Sequence, residues 1–96
     1  MTYQGDYEAA LRLDHAMVIS MSRLPFETLR RTVADLDPEH LMRVITVGLV
    51  EFQQAEISEW RARLVAYLGP EDEVGDRLEQ DRRTALACLL AARSQT

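Results

Sequence analysis

The chain has 96 residues, 47% of them apolar and 28% charged, with 16 acidic against 11 basic side chains for a net charge of −5. That length points to one domain, 1–96, and the apolar fraction is too high and the net charge too low for a disordered chain. A single cysteine, Cys88, excludes an internal disulfide framework and a multi-cysteine zinc site.

Taken in chain order, the sequence carries helical signals throughout. The first predicted helix covers 6–22, with Tyr7, Ala10, Leu11, Met17, Val18 and Met21 as its apolar stripe. It is expected to end before Pro25, because a residue preceding proline is pushed out of the helical region. The second covers 25–36, with Phe26, Leu29, Val33 and Leu36 spaced along one face and Pro25 suited to the first turn. Asp37 is a good N-cap for a third helix, followed by Pro38 at the first helical position. Leu36 before that cap and Leu41 after it are placed for a hydrophobic staple.

The third pattern continues over 38–68 and stops at Gly69-Pro70. An acidic loop is expected over 69–75. A fourth helix over 76–93 opens with Asp76 and Glu79 as a capping-box-like pair and carries Leu78, Ala85, Leu86, Leu89 and Ala92. Five Glu-to-Arg pairs lie four residues apart: Glu8–Arg12, Glu27–Arg31, Glu39–Arg43, Glu59–Arg63 and Glu79–Arg83. That spacing puts both charges on one solvated helix face, in the more favourable order.

The stretch 38–68 carries the most information. As one helix its 31 residues would run about 46 Å at 1.5 Å each, whereas a compact chain of this size has a radius of gyration of about 12–13 Å. Its apolar stripe also moves. Leu41, Val44, Ile45, Gly48, Phe52 and Ala55 share one face. Ile57, Trp60, Leu64, Tyr67 and Leu68 centre on another, displaced by roughly 100–120° at 100° per residue, with Met42 and Leu49 already on it. Either the helix breaks near 53–58 within one chain, or one face packs on its own chain and the other on a second copy.

The second account leads to an all-α, four-helix arrangement with one long central helix and a helical homodimer. Met17, Met21, Met42, Leu49, Val50, Ile57, Trp60, Leu64 and Tyr67 are then the candidate contact residues. Several are methionine or aromatic, types that adaptable interfaces favour.

Other classes find less support. The segment Met1–Glu8 does not read as a secretory leader, and the charge-free stretch Val44 to Val50 is far short of the ~20 residues of a membrane span. No membrane association and a cytoplasmic location are therefore expected. The chain has no Lys and no Asn beside 11 Arg, a bias that GC-rich coding favours and that points to a bacterial or phage origin. An acidic, lysine-free chain is a poor non-specific nucleic-acid binder. The 25–36 and 38–68 helices with the Asp37-Pro38 turn do resemble a helix-turn-helix in outline, yet Leu41–Val47 offers only Arg43 to base edges.

No cofactor or metal is expected. His15 and His40 are the only histidines, and Asp37-Pro38-Glu39-His40 gives the one acid-x-x-His spacing, with Asp37 already explained as a cap. Cys88 lies in an apolar run without the electropositive setting a reactive thiolate needs. The four glycines are isolated and form no phosphate loop. Asp14 falls within an apolar stripe, where a buried carboxylate would serve as a general acid or base. The simpler reading pairs it with an arginine such as Arg23, Arg43 or Arg77, or tips it towards solvent. By elimination the chain reads as a non-enzymatic protein-binding module: an adaptor, assembly factor or inhibitor of another protein. A DNA-binding regulator and a small helical-bundle enzyme or metal-binding protein are the alternatives.

Overall fold

The computed structural model describes residues 3–69 and 77–94, with side chains from Arg12 onward. The described residues form five helices: α1 (Tyr3–Ser22), α2 (Phe26–Asp35), α3 (Pro38–Glu51), α4 (Gln54–Leu68) and α5 (Arg77–Ser94). No strand occurs among them. The protein is all-α, and none of these helices is long and apolar enough to cross a membrane. The expected Asp76 cap and most of the 69–75 loop lie outside the described residues.

Local chemistry explains most of the helix ends. The α3 start is as the sequence implies: the Asp37 carboxylate accepts from the His40 backbone N–H at 2.9 Å, with Pro38 in the first turn. The same carboxylate meets His40 Nδ1 at 2.8 Å. Both hydrogen bonds favour the ionised form, so the Asp37 carboxyl is held below its ordinary 3.8, the backbone donor being the larger cause. Pro25 differs from expectation. It is the N-cap of α2 rather than its first helical residue, with its carbonyl accepting from Leu29 N–H at 2.8 Å. Gly69 ends α4 at φ 97°, a conformation that costs a side-chain-bearing residue.

The long central helix over 38–68 is not formed. Phe52 (φ −117°, ψ 161°) and Gln53 (φ −71°, ψ 128°) are extended, and they divide it into α3 and α4. The expected four helices therefore become five. Packing accounts for the break. α3 buries Leu41, Val44, Ile45, Val47 and Gly48, while α4 buries Ile57 and Leu64, the two displaced sets of the sequence pattern. An interruption between them lets α3 and α4 both pack on α5. A straight helix could turn only one set inward. The released backbone is partly satisfied locally, because Gln54 Nε2 donates to the Leu49 carbonyl at 3.0 Å. Phe52 is buried at the corner, its ring edge-on to His15 of α1 with centroids 6.2 Å apart.

The central helix is α5. It packs on each of the other four helices, and Ala85 to Ala92 are all buried, eight residues in succession. A helix buried on every side needs an unbroken apolar run, and small side chains let neighbours approach closely. At Gly48 a built Cβ would stand 2.4 Å from Cys88 Cβ, so α3 touches α5 there without room for a methyl group.

Two arginines of α5 tie distant helix ends to this core. Arg93 Nε donates to the Ser22 carbonyl at 2.7 Å, and its Nη2 donates to the Leu24 carbonyl. It thereby caps the C-terminus of α1, where carbonyls lack helical partners. Arg83 Nη1 donates to the Gly69 carbonyl at 2.9 Å, at the end of α4. Of the Glu-to-Arg pairs, Glu39–Arg43, Glu59–Arg63 and Glu79–Arg83 form at 3.4, 2.6 and 3.6 Å. Glu27 instead reaches Arg30, at 3.1 Å. The Glu8–Arg12 pair rests on a side chain outside the described set.

Candidate functional site

The nine candidate contact residues divide by environment. Met42, Leu49 and Val50 of α3 and Tyr67 of α4 are exposed, at 46, 45, 69 and 65%. Met17, Met21 and Trp60 are partly buried and packed on the core. Ile57 and Leu64 belong to the core itself, at 5 and 3% exposure, so they are not surface contacts of this chain. The break after Glu51 is the reason, since it turns the Ile57 and Leu64 face of α4 inward.

The α3 residues form a strip. At 100° per residue Met42 and Leu49 lie within 20° of each other and Val50 about 80° away. Thr46 sits between them with its hydroxyl donating to the Met42 carbonyl at 2.7 Å, so the strip offers no unsatisfied hydroxyl donor. Glu39 and Arg43 flank one end and Glu51 the other, all exposed. Tyr67 and Trp60 already have partners. Phe26 of α2 meets Tyr67 edge-on at 5.6 Å. Trp60 Nε1 donates to Ser94 Oγ at 3.0 Å, and the Arg63 guanidinium lies 4.7 Å from the ring centroid. Trp60 is therefore a clasp between α4 and the end of α5.

The groups considered for chemistry are dispersed. Among the described residues no three His, Cys, Asp or Glu side chains are grouped to hold a metal ion. Among the described residues none of the arginines proposed for Asp14 pairs with it: Arg43 goes to Glu39 and Arg77 to Asp81, and Arg23 is exposed. His15 faces Phe52 and His40 faces Asp37. Cys88 is fully buried, and burial pushes its thiol up to about 11. We expect it to resist a thiol reagent such as dithionitrobenzoate at mildly alkaline pH in the native protein and to react fully in denaturant. Rapid labelling of the native chain would contradict this placement.

One feature was not read from the sequence. Arg30 of α2 and Arg82 and Arg83 of α5 line a cleft of about 320 Å³ whose other walls include Val33, Leu68 and Leu86. Arg30-Arg31 and Arg82-Arg83 are adjacent arginine pairs in the sequence, each following a glutamate by three and four residues (Glu27 and Glu79), a spacing that reads as ordinary solvated charge. Only the packing of α2 and α4 across α5 brings the three guanidinium groups together.

Compared with known proteins, the chain matches no family profile, no curated protein and no solved structure. What it is follows from its own geometry: an all-helical protein with an apolar strip on α3 and an arginine-lined cleft.

Proposed function

We propose that the protein acts by binding protein, and that its first partner is a second copy of itself docked along α3. The observation that carries this is the exposure of Met42, Leu49 and Val50 on one strip of a helix whose opposite side is core. Such a strip is stabilised by removal from water, at about 25 cal/mol per Å².

The charges favour a two-fold, antiparallel pairing. With the axis near Thr46, Met42 meets Val50 of the partner subunit and Arg43 comes within reach of Glu51 of the partner subunit. One patch then complements itself, as a two-fold interface requires. Arg43 and Glu51 set register and orientation more than affinity, and Thr46 at the centre lets the backbones approach. The resulting helical dimer presents its remaining surface to a further protein, as an adaptor, assembly factor or inhibitor would. The same strip argues against the helix-turn-helix reading, because α3 offers bases three apolar side chains and one arginine.

Sedimentation equilibrium tests the dimer. The full chain is expected to dimerise at micromolar concentration, and Leu49→Glu to be monomeric there with unchanged helical circular dichroism. An exposed position tolerates the charge in the monomer, whereas in the dimer each carboxylate would be taken out of water within an apolar strip. A wild-type chain that stays monomeric at high micromolar concentration, or a Leu49→Glu variant that still dimerises, overturns the proposal.

A further inference from the structure

We infer that the cleft between α2, α4 and α5 is a binding site for a small anionic molecule: a phosphate or carboxylate attached to a compact apolar body. This goes beyond the α3 surface and does not depend on it. Among the described residues, Arg30, Arg82 and Arg83 face one carboxylate in the lining, Glu79. Glu79 stands 4.0 Å from Arg82 Nη1 and 3.6 Å from Arg83 Nε. One carboxylate serves two guanidinium groups, neither at hydrogen-bonding distance. Arg30 has its own ion pair with Glu27, so Arg82 and Arg83 hold the surplus charge. On a chain of net charge −5 a concentration of positive charge in a concave place is out of keeping with the rest of the surface.

The second observation concerns hydrogen bonding. Arg82 Nε and Arg83 Nε are both buried and have no acceptor among the described residues. Buried donors in a folded protein are ordinarily paired, and a charged one left unpaired is costly. Arg83 is held in place by its bond to the Gly69 carbonyl, but the Arg82 side chain is 32% exposed and has room to turn outward. An oxyanion entering the cleft accepts from Nε and a terminal nitrogen together, the forked geometry guanidinium groups favour for carboxylate and phosphate. Val33 and Leu86 supply an apolar wall for the rest of the molecule. The volume of about 320 Å³ lies at the small end of ligand pockets.

The test is an NMR titration of the full-length chain, following arginine Nε–H resonances, with three probes: phenyl phosphate, benzoate and inorganic phosphate. The proposal expects saturable shifts at Arg82 and Arg83 with phenyl phosphate or benzoate. It also expects binding at least about tenfold weaker for inorganic phosphate, which lacks the apolar body. The preference between the first two tells a phosphate ligand from a carboxylate one. Arg82→Gln is expected to weaken binding about tenfold or more, the size of one charge-assisted hydrogen bond. Should that variant fail to fold, Arg30→Gln, at a half-exposed position, is expected to weaken binding in the same direction. Shifts spread evenly over all arginines without saturation, or Arg82→Gln and Arg30→Gln binding as the wild type does, would overturn the site. Leu49→Glu binds the probes normally, so failure here is distinct from failure of the α3 dimer.

Discussion

Gly48→Ala is expected to lower stability by about 2 kcal/mol, although alanine is the better helix former by roughly 1 kcal/mol. The cause is the contact between α3 and α5. A Cβ at position 48 falls 2.4 Å from Cys88 Cβ and 2.5 Å from its Sγ. The Cβ is fixed to the α5 backbone and cannot swing away, so the helices must part by about 1 Å, loosening the packing of a close-packed interior. For a domain of this size the melting temperature should fall by roughly 10 °C.

A double-mutant cycle isolates the cause. In a Cys88→Gly background the nearest remaining atom is the α5 backbone Cα at 3.5 Å, an ordinary contact. Gly48→Ala should then become neutral or stabilising, giving a coupling of about 2–3 kcal/mol between the two positions. Thermal denaturation of the four proteins measures it. Equal effects of Gly48→Ala in both backgrounds would show that α3 and α5 do not meet there.

Arg93→Ala should cost about 3 kcal/mol. The Ser22 carbonyl at the end of α1 and the Leu24 carbonyl just beyond it both accept from this one side chain across some 70 residues of sequence. Ser22 is fully buried, so its carbonyl has little access to water once the arginine is gone. Each hydrogen bond to a charged group is worth about 1.5–3 kcal/mol. Arg93→Lys keeps the charge but lacks the planar fork, and should recover about half the loss. Urea unfolding midpoints distinguish the three chains. Arg93→Ala with wild-type stability would mean that α1 is held by its apolar face alone. Hydrogen exchange adds a spatial check, since protection should fall first in the last turns of α1.

The helical class was legible because it rests on local chemistry. Asp37-Pro38 starts α3 as its capping residues imply, Gly69 ends α4 with a positive φ, and α1 stops at Ser22, before Pro25. Three of the Glu-to-Arg pairs formed at their helical spacing for the same reason. The break at Phe52-Gln53 was harder to place. No proline or glycine marks it, and only the displaced apolar stripe records it. That displacement was equally compatible with a straight helix shared between two chains.

The central helix was mistaken for a related reason. Leu41 to Val50 looked apolar on most sides, and part of that surface, at Met42, Leu49 and Val50, remains open to solvent. The run Ala85 to Ala92 is shorter but uninterrupted and fully buried, and its small side chains make it look less hydrophobic than its burial. Its role depends on Gly48 meeting Cys88 and on four helices converging, neither of which a single segment can encode.

From the order of residues alone come the helical class, the start of α3 at Asp37-Pro38 and the stop of α4 at Gly69. Those properties depend on neighbours within four positions, where backbone hydrogen bonds and capping act. Which faces are covered, which helix is central, the clasp of Arg93 on α1 and the meeting of Arg30 with Arg82 and Arg83 were decided by tertiary packing. They join residues up to 71 positions apart, and the choice among such pairings is made by the whole core at once, through close packing that no local pattern specifies.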